Sequence, residues 1–259
     1  KFVNREDYPD GSHAESIFTL SPPPPITGLI ELPKRLRICN HSSSYARESV
    51  IFFGGSFTKG DMIADHETLP CQVKNRSPKY KVYNFGDWGY GAHQFLYNLT
   101  AGGVRRVVNI EPSYVIYSAI PSHAGRLFEW KYQSPRFRLR HGNLVWLGFN
   151  DDVGVWNNLF PNLPSPRILS KLAKAIRTIE RGAADQERVY LKVILEIDRL
   201  LKEKYPKSQF IVIYYDALGG GNPSYPYDHD EFFSQLQDRD GIRVLNVSAM
   251  LREPYDDAR

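Results

Sequence analysis

Apolar runs of strand length alternate along this chain with segments of helical periodicity. Five runs rich in Val, Ile, Tyr and Phe predict β-strands: Val50–Gly54, Lys81–Phe85, Tyr114–Ile120, Phe210–Tyr215 and Ile242–Val247. The clearest helical pattern covers Asp185–Tyr205, with Val189, Val193, Ile197, Leu200 and Leu201 on one face. Strands that alternate with helices predict right-handed crossovers and a mostly parallel sheet covered on both faces. We therefore expect an α/β fold built on a single sheet of about five strands.

One region departs from this alternation. Residues 137–147 alternate apolar and polar positions on both sides of a His-Gly-Asn turn, which predicts a β-hairpin inserted between the third strand and the long helix. The surrounding stretch, from about Trp130 to Pro166, is too long for an ordinary connection. We expect it to form a lid or a surface for a protein partner.

Length and composition limit the domain organisation and the partners. A chain of 259 residues holds one full α/β core, and nothing requires a second domain. Residues 1–35 contain four consecutive prolines and predict an extended arm, which leaves 36–259 as the folded domain. The net charge is only +4 and the arginines are scattered, so we expect a solvated surface and no nucleic acid. No apolar run reaches the length of a transmembrane helix.

The chain begins at Lys1, so it is either processed or a fragment. Cys39 and Cys71 are compatible with a disulfide and equally with two free buried thiols. The histidines and cysteines show no metal-ligand spacing, and we expect neither a metal nor a cofactor. The location expected is secreted or periplasmic rather than cytoplasmic.

The strongest chemical signal lies in residues 50–60, Val-Ile-Phe-Phe-Gly-Gly-Ser-Phe-Thr-Lys-Gly. An apolar run of strand length stops at two glycines, and Ser56 follows at once. A serine on a tight turn at the carboxyl end of a buried strand is where an open α/β sheet presents a nucleophile. The residues equally fit a plain turn.

A second segment, residues 82–96, repeats the pattern of a short apolar strand, three glycines and a helix that starts near Ala92. Gly86 would bring a backbone N–H close to the strand ends, and a nearby helix N-terminus favours developing negative charge. We expect Gly86 to lie within a few ångströms of the Ser56 hydroxyl, because both follow strands that should be neighbours.

These two segments together resemble the SGNH (GDSL-type) hydrolase family. Its first block is matched by Gly54-Gly55-Ser56-Phe57-Thr58-Lys59-Gly60, and its second by Asn84-Phe85-Gly86-Asp87-Trp88-Gly89. The resemblance implies a three-layer, flavodoxin-like α/β fold. It also implies a serine nucleophile at Ser56 and an oxyanion hole that includes the backbone N–H groups of Ser56 and Gly86. Gly55 departs from the family pattern, which has Asp before the nucleophile.

The third family block contributes an Asn to the oxyanion hole, and this chain has none there. His123, in Ser122-His123-Ala124-Gly125-Arg126, is the polar residue best placed to substitute, because a neutral imidazole donates one N–H. A similar His-x-x-Arg occurs in some members of the family. The alternative interpretation is a structural histidine that caps the following helix.

The fourth family block, an Asp-x-x-His that supplies the base, does not occur in this sequence. Two explanations stay open: the chain stops short of the pair, or the protein has lost it. His229 is the one late histidine and is a candidate substitute base; a surface histidine is the other interpretation.

Two hypotheses follow. The first is a serine-dependent ester hydrolase or O-acyl transferase acting on a carbohydrate or lipid ester. The second is a non-catalytic subunit or binding module with the same fold.

Overall fold

The structure is a computed structural model that describes residues 46–127, 134–149, 183–215, 229–237, 241–247, 249 and 250. The predicted arm 1–35 and most of the 130–166 stretch lie outside these residues, so the domain boundaries and the lid stay predictions.

Seven strands are present in the described part of the chain: β1 (Glu48–Gly54), β2 (Tyr80–Asn84), β3 (Pro112–Ala119), β4 (Pro135–Arg140), β5 (Asn143–Phe149), β6 (Gln209–Tyr214) and β7 (Ile242–Asn246). The helices are α1 (Ser56–Lys59), α2 (Leu69–Arg76), α3 (Ala92–Thr100), α4 (Gly103–Val107), α5 (Ser122–Arg126), α6 (Ala183–Lys204) and α7 (His229–Gln237). A short 3-10 helix, Asp65–Glu67, precedes α2. The five predicted strands and the long helix are confirmed, each with bounds within about two residues.

Five strands form one sheet in the order β2-β1-β3-β6-β7, and every neighbouring pair is parallel. This is the order of flavodoxin-like folds, in which the chain reverses direction across the sheet between the first and third strands. The predicted fold class is therefore confirmed. Ligands in such sheets bind beyond the carboxyl ends of the strands at this switch point, which here is the ends of β1 and β3.

Burial on both faces explains why β1 is apolar over its whole length. On one face, Phe53 stacks on Phe95 of α3 with ring centroids 3.7 Å apart, and it also stacks on Phe85. On the other face, Val50 and Phe52 pack with Val82 of β2. A strand held in this way gives the residues that follow Gly54 a fixed starting point.

The predicted hairpin is also confirmed. β4 and β5 pair antiparallel as a separate two-stranded sheet, and His141 and Gly142 form the turn with positive φ. The hairpin packs beside α3, where Trp146 and Tyr97 lie 6.4 Å apart between ring centroids.

Cys71 lies buried in α2 and is disulfide-bonded. Cys39 lies outside the described residues, so the pairing of the two stays a prediction. In the described residues, no helix combines the length and the apolar character that crossing a membrane requires.

Candidate active site

Ser56 is the first residue of α1 and lies directly beyond the carboxyl end of β1. The backbone turns sharply here: a Cβ on Gly54 would collide with Thr58 Oγ1 and would lie 3.0 Å from the carbonyl oxygen of Ser118. Lys59 N–H donates to the Gly55 carbonyl at 3.0 Å, and Gly60 N–H donates to the Ser56 carbonyl at 2.8 Å. Ser56 itself is partly exposed, while the strand before it is buried. A strand, a tight turn and a helix start therefore present the serine as the sequence predicts.

Gly86 follows β2, the strand next to β1, and packs directly against α1. A Cβ on Gly86 would lie 2.5 Å from the backbone nitrogen of Lys59 and 2.8 Å from the carbonyl carbon of Thr58. No side chain fits this space, so the position requires glycine. The structure thus places Gly86 beside the short helix that begins with Ser56.

The Gly86 N–H is already hydrogen-bonded. It donates to Asn84 Oδ1 at 2.9 Å, and Asn84 Nδ2 in turn donates to the Thr58 carbonyl at 2.9 Å. Asn84 is buried. The Gly86 N–H can therefore reach an oxyanion only by sharing or exchanging its bond with Asn84. Its role as an oxyanion donor stays a prediction.

An ion pair also joins the two segments. Lys59 Nζ lies 2.7 Å from Asp87 Oδ1, and the same carboxylate oxygen accepts the Trp88 N–H at 2.8 Å. Both charged side chains are partly exposed. Since water screens such a pair, its contribution to stability is small.

His123 lies in α5, just beyond β3, and its side chain is completely buried. Nδ1 is 2.7 Å from the Tyr117 hydroxyl, whereas Nε2 has no hydrogen-bond partner in the described part of the chain. A Cβ on Gly55 would lie 3.1 Å from His123 Nε2. The ring therefore faces the residue immediately before Ser56. It does so from inside the protein, whereas the sequence predicts that it opens onto a cleft.

Burial holds the pKa of His123 well below its usual range, and the nearby positive charge of Arg126 and the His93 ring lower it further. The imidazole is therefore neutral and carries one N–H. A neutral ring at this place can donate a hydrogen bond or accept one, and its tautomer decides which.

Arg126 is a site residue that the sequence did not single out. Its Nη1 donates to the Tyr90 carbonyl at 2.8 Å, which ties α5 to the loop after β2. The same nitrogen would lie 2.7 Å from a Cβ on Gly55. His123 and Arg126 thus occupy the space into which a side chain at position 55 would extend, and this explains the glycine where the family has Asp. The one sequence signal was the His-x-x-Arg spacing.

The structure describes less of the predicted base. His229 is the first residue of α7, and its side chain lies outside the described part. Its role as a substitute base stays a prediction. Within the described residues, no group of three or more His, Cys, Asp or Glu side chains could hold a metal ion.

No protein-family model matches this sequence, and no curated protein matches it either. Solved structures with a similar arrangement include the SGNH-hydrolase family esterase AlinE4, which is 13% identical with a TM-score of 0.41, over 78% of this chain and 77% of that one. A lipolytic protein of the G-D-S-L family from Veillonella parvula is 12% identical with a TM-score of 0.45, over 82% of this chain and 84% of that one.

A third similar structure is the lipase Lip_vut3 from a goat rumen metagenome, 10% identical with a TM-score of 0.42, over 78% of this chain and 81% of that one. These names agree with the family resemblance carried by the two sequence blocks. A likeness of this size says nothing about activity, substrate or the role of any residue.

Proposed function

We propose that this chain forms the core of a serine-dependent ester hydrolase of SGNH type, with Ser56 as the nucleophile. The observation that carries the proposal is the position of Ser56. It is partly exposed at the switch point of a parallel sheet, at the first residue of a helix, beside a buried neutral histidine. Each of these features has a use in acyl transfer.

The chemistry has two steps. Ser56 Oγ attacks the acyl carbon while a base takes its proton, and the alcohol then leaves with a proton. Water, or a second alcohol in an acyl transferase, next attacks the acyl-enzyme and releases the acyl group. The backbone N–H of Ser56 and His123 Nε2 are the donors best placed for the oxyanion, and Gly86 N–H would join them if it exchanged its bond with Asn84. We propose His229 as the base to test first.

The exposed apolar side chains near Ser56 support a substrate with an apolar or sugar-like part. Phe57 follows the nucleophile directly and is 60% exposed, and Trp88 is 72% exposed in the loop that Lys59 and Asp87 join to α1. Aromatic rings that water reaches offer contact area to an acyl chain or to the face of a sugar ring. We therefore propose carbohydrate or lipid esters as substrates.

A disulfide at Cys71 supports the proposed secreted or periplasmic location, because structural disulfides persist in oxidising compartments.

The second candidate function is a non-catalytic subunit or binding module. One structural observation favours it: the Gly86 N–H is engaged by Asn84 and not directed at a ligand. A protein that retained the fold for binding alone would have no need of a free donor there.

Covalent labelling with a fluorophosphonate probe separates the two. We expect the folded chain to be labelled, Ser56→Ala to abolish labelling, and Ser113→Ala to leave it unchanged. Ser113 is a matched control, since its hydroxyl bonds Glu48 at the opposite, amino-terminal end of the strands. A wild-type chain that is folded and unlabelled would favour the binding module.

A further inference from the structure

Behind His123 lies a chain of buried hydroxyl groups. Its Nδ1 is 2.7 Å from the hydroxyl of Tyr117 in β3, and that hydroxyl is 3.1 Å from the hydroxyl of Tyr190 in α6. All three side chains are completely buried. The chain joins three elements that meet only in the folded protein.

The direction of the hydrogen bonds follows from the far end. Among the described residues, the Tyr190 hydroxyl has a single hydrogen bond, to Tyr117. Burial and the neighbouring Tyr117 raise the pKa of Tyr190 well above its usual range, so it keeps its proton. That proton must be donated to Tyr117, because a buried O–H left without an acceptor is costly. Tyr117 accepts it and has its own proton for His123 Nδ1.

The opposite direction leaves a buried donor without an acceptor. If Nδ1 carried the proton, it would donate to Tyr117, and Tyr117 would donate to Tyr190. The Tyr190 proton would then have no acceptor within the described residues. The same buried-donor argument disfavours this arrangement.

We propose that Tyr117 and Tyr190 are positioning residues that hold His123 in the tautomer with its proton on Nε2. Nε2–H then faces the Gly55–Ser56 turn as a preformed donor. This inference rests on the proposed function, in which negative charge develops beside Ser56. With the proton on Nδ1, a lone pair would face that charge and oppose it, so the tautomer decides whether His123 helps or hinders the reaction.

The tautomer can be measured without any turnover. The full chain is labelled with ¹⁵N-histidine, and two-bond correlations between the ring nitrogens and carbon-bound protons report which nitrogen carries the proton. The chain has 7 histidines, and the His123 signals are assigned by their loss in His123→Asn. We expect Nε2 to be protonated in the wild type. Protonation of Nδ1 in the folded wild type would overturn the proposal, whatever the variants do.

Two variants and a matched control test the relay. Tyr117→Phe and Tyr190→Phe remove one hydroxyl each, and we expect a mixture of His123 tautomers and fluorophosphonate labelling slowed about threefold to tenfold, the worth of one neutral hydrogen bond. Tyr205→Phe is the control, because the Tyr205 hydroxyl is buried with no hydrogen-bond partner among the described residues. It should change neither quantity. If Tyr117→Phe and Tyr190→Phe behave like Tyr205→Phe, the relay is wrong.

The readouts separate this proposal from the hydrolase proposal. A correct tautomer that depends on Tyr117 and Tyr190, in a chain whose Ser56 is not labelled, supports the relay and contradicts the hydrolase. Labelling of Ser56 with His123 protonated on Nδ1 gives the reverse result.

Discussion

Two loops meet at α1, and they use their polar groups in different ways. In the Ser56 loop (54–60), the serine is partly exposed and the neighbouring His123 Nε2 is without a partner in the described residues. In the Gly86 loop (86–91), the Gly86 N–H is bonded to Asn84 and the Tyr90 carbonyl is bonded to Arg126. One loop presents reactive groups, and the other has its polar groups bonded within the protein.

The difference suggests a division of labour. The Gly86 loop braces α1 through Asn84, through the Lys59–Asp87 ion pair and through close backbone packing. A braced helix start keeps the Ser56 N–H and hydroxyl in one geometry, and such preorganisation is what electrostatic catalysis needs. The expected oxyanion donors are accordingly on the Ser56 side. The following experiments break or sharpen this comparison, in order of decreasing effect.

Replacing His123 removes the proposed donor from the Ser56 loop. We expect His123→Leu to slow fluorophosphonate labelling of Ser56 about a hundredfold to a thousandfold, as when one oxyanion donor is lost. His123→Asn keeps a side-chain N–H and should retain much of the rate. Urea unfolding of both variants checks that the fold persists. Equal labelling of the Leu variant and the wild type would exclude His123 from the oxyanion site.

Replacing Asn84 removes the main brace between the loops. Asn84→Ala leaves the Gly86 N–H and the Thr58 carbonyl without their partner. We expect the free energy of unfolding to fall by roughly 2–4 kcal/mol, because two buried polar groups lose their bonds. Asn98→Ala is the control: Asn98 is also buried, and its side chain donates to the Gln94 carbonyl within one helix. Similar losses in both variants would mean that Asn84 is no special brace.

Adding one methyl group at Gly86 tests the close packing itself. Gly86→Ala would force the backbone of α1 to shift, since Lys59 N lies 2.5 Å from the new carbon. We expect a loss of about 1–3 kcal/mol in unfolding free energy together with slower labelling. Gly125→Ala has open space around the new carbon and lies within α5, so it should be neutral or slightly stabilising. Wild-type behaviour of Gly86→Ala would show that the two loops are not in contact.

Acid should weaken the protein through His123. Its pKa in the folded state is far below the ordinary value of 6.5, so below pH 6.5 the unfolded chain binds a proton that the folded chain does not. Stability is therefore lost as the pH falls, by about 1.4 kcal/mol per unit for this residue. Urea midpoints at about pH 7.5 and pH 5.5 measure the loss, and His123→Asn should lack this part of it. An identical pH dependence in the variant would mean that His123 titrates normally.

The smallest effect should come from the ion pair between the loops. Lys59→Met removes the partner of Asp87, and we expect a change below about 1 kcal/mol because both groups are partly exposed. Lys79→Met, which breaks the exposed pair with Glu48, is the matched control. A loss well above that of the control would make the ion pair a brace equal to Asn84.

The sequence alone determined the sheet and the place of Ser56. Both depend on local signals, since runs of β-branched and aromatic residues form strands and paired glycines end them. The same signals located Gly86 beside α1, because consecutive parallel strands tend to be neighbours.

Only the tertiary structure decided what each polar group does. Asn84 and Thr58 are 26 positions apart, and Tyr117 and Tyr190 are 73 apart, so no local pattern predicts that they share hydrogen bonds. The engagement of the Gly86 N–H, the burial of His123 and the position of Arg126 over Gly55 follow from such contacts. A side chain's partners, and with them its tautomer and its pKa, depend on which groups folding brings within hydrogen-bond distance and which it removes from water.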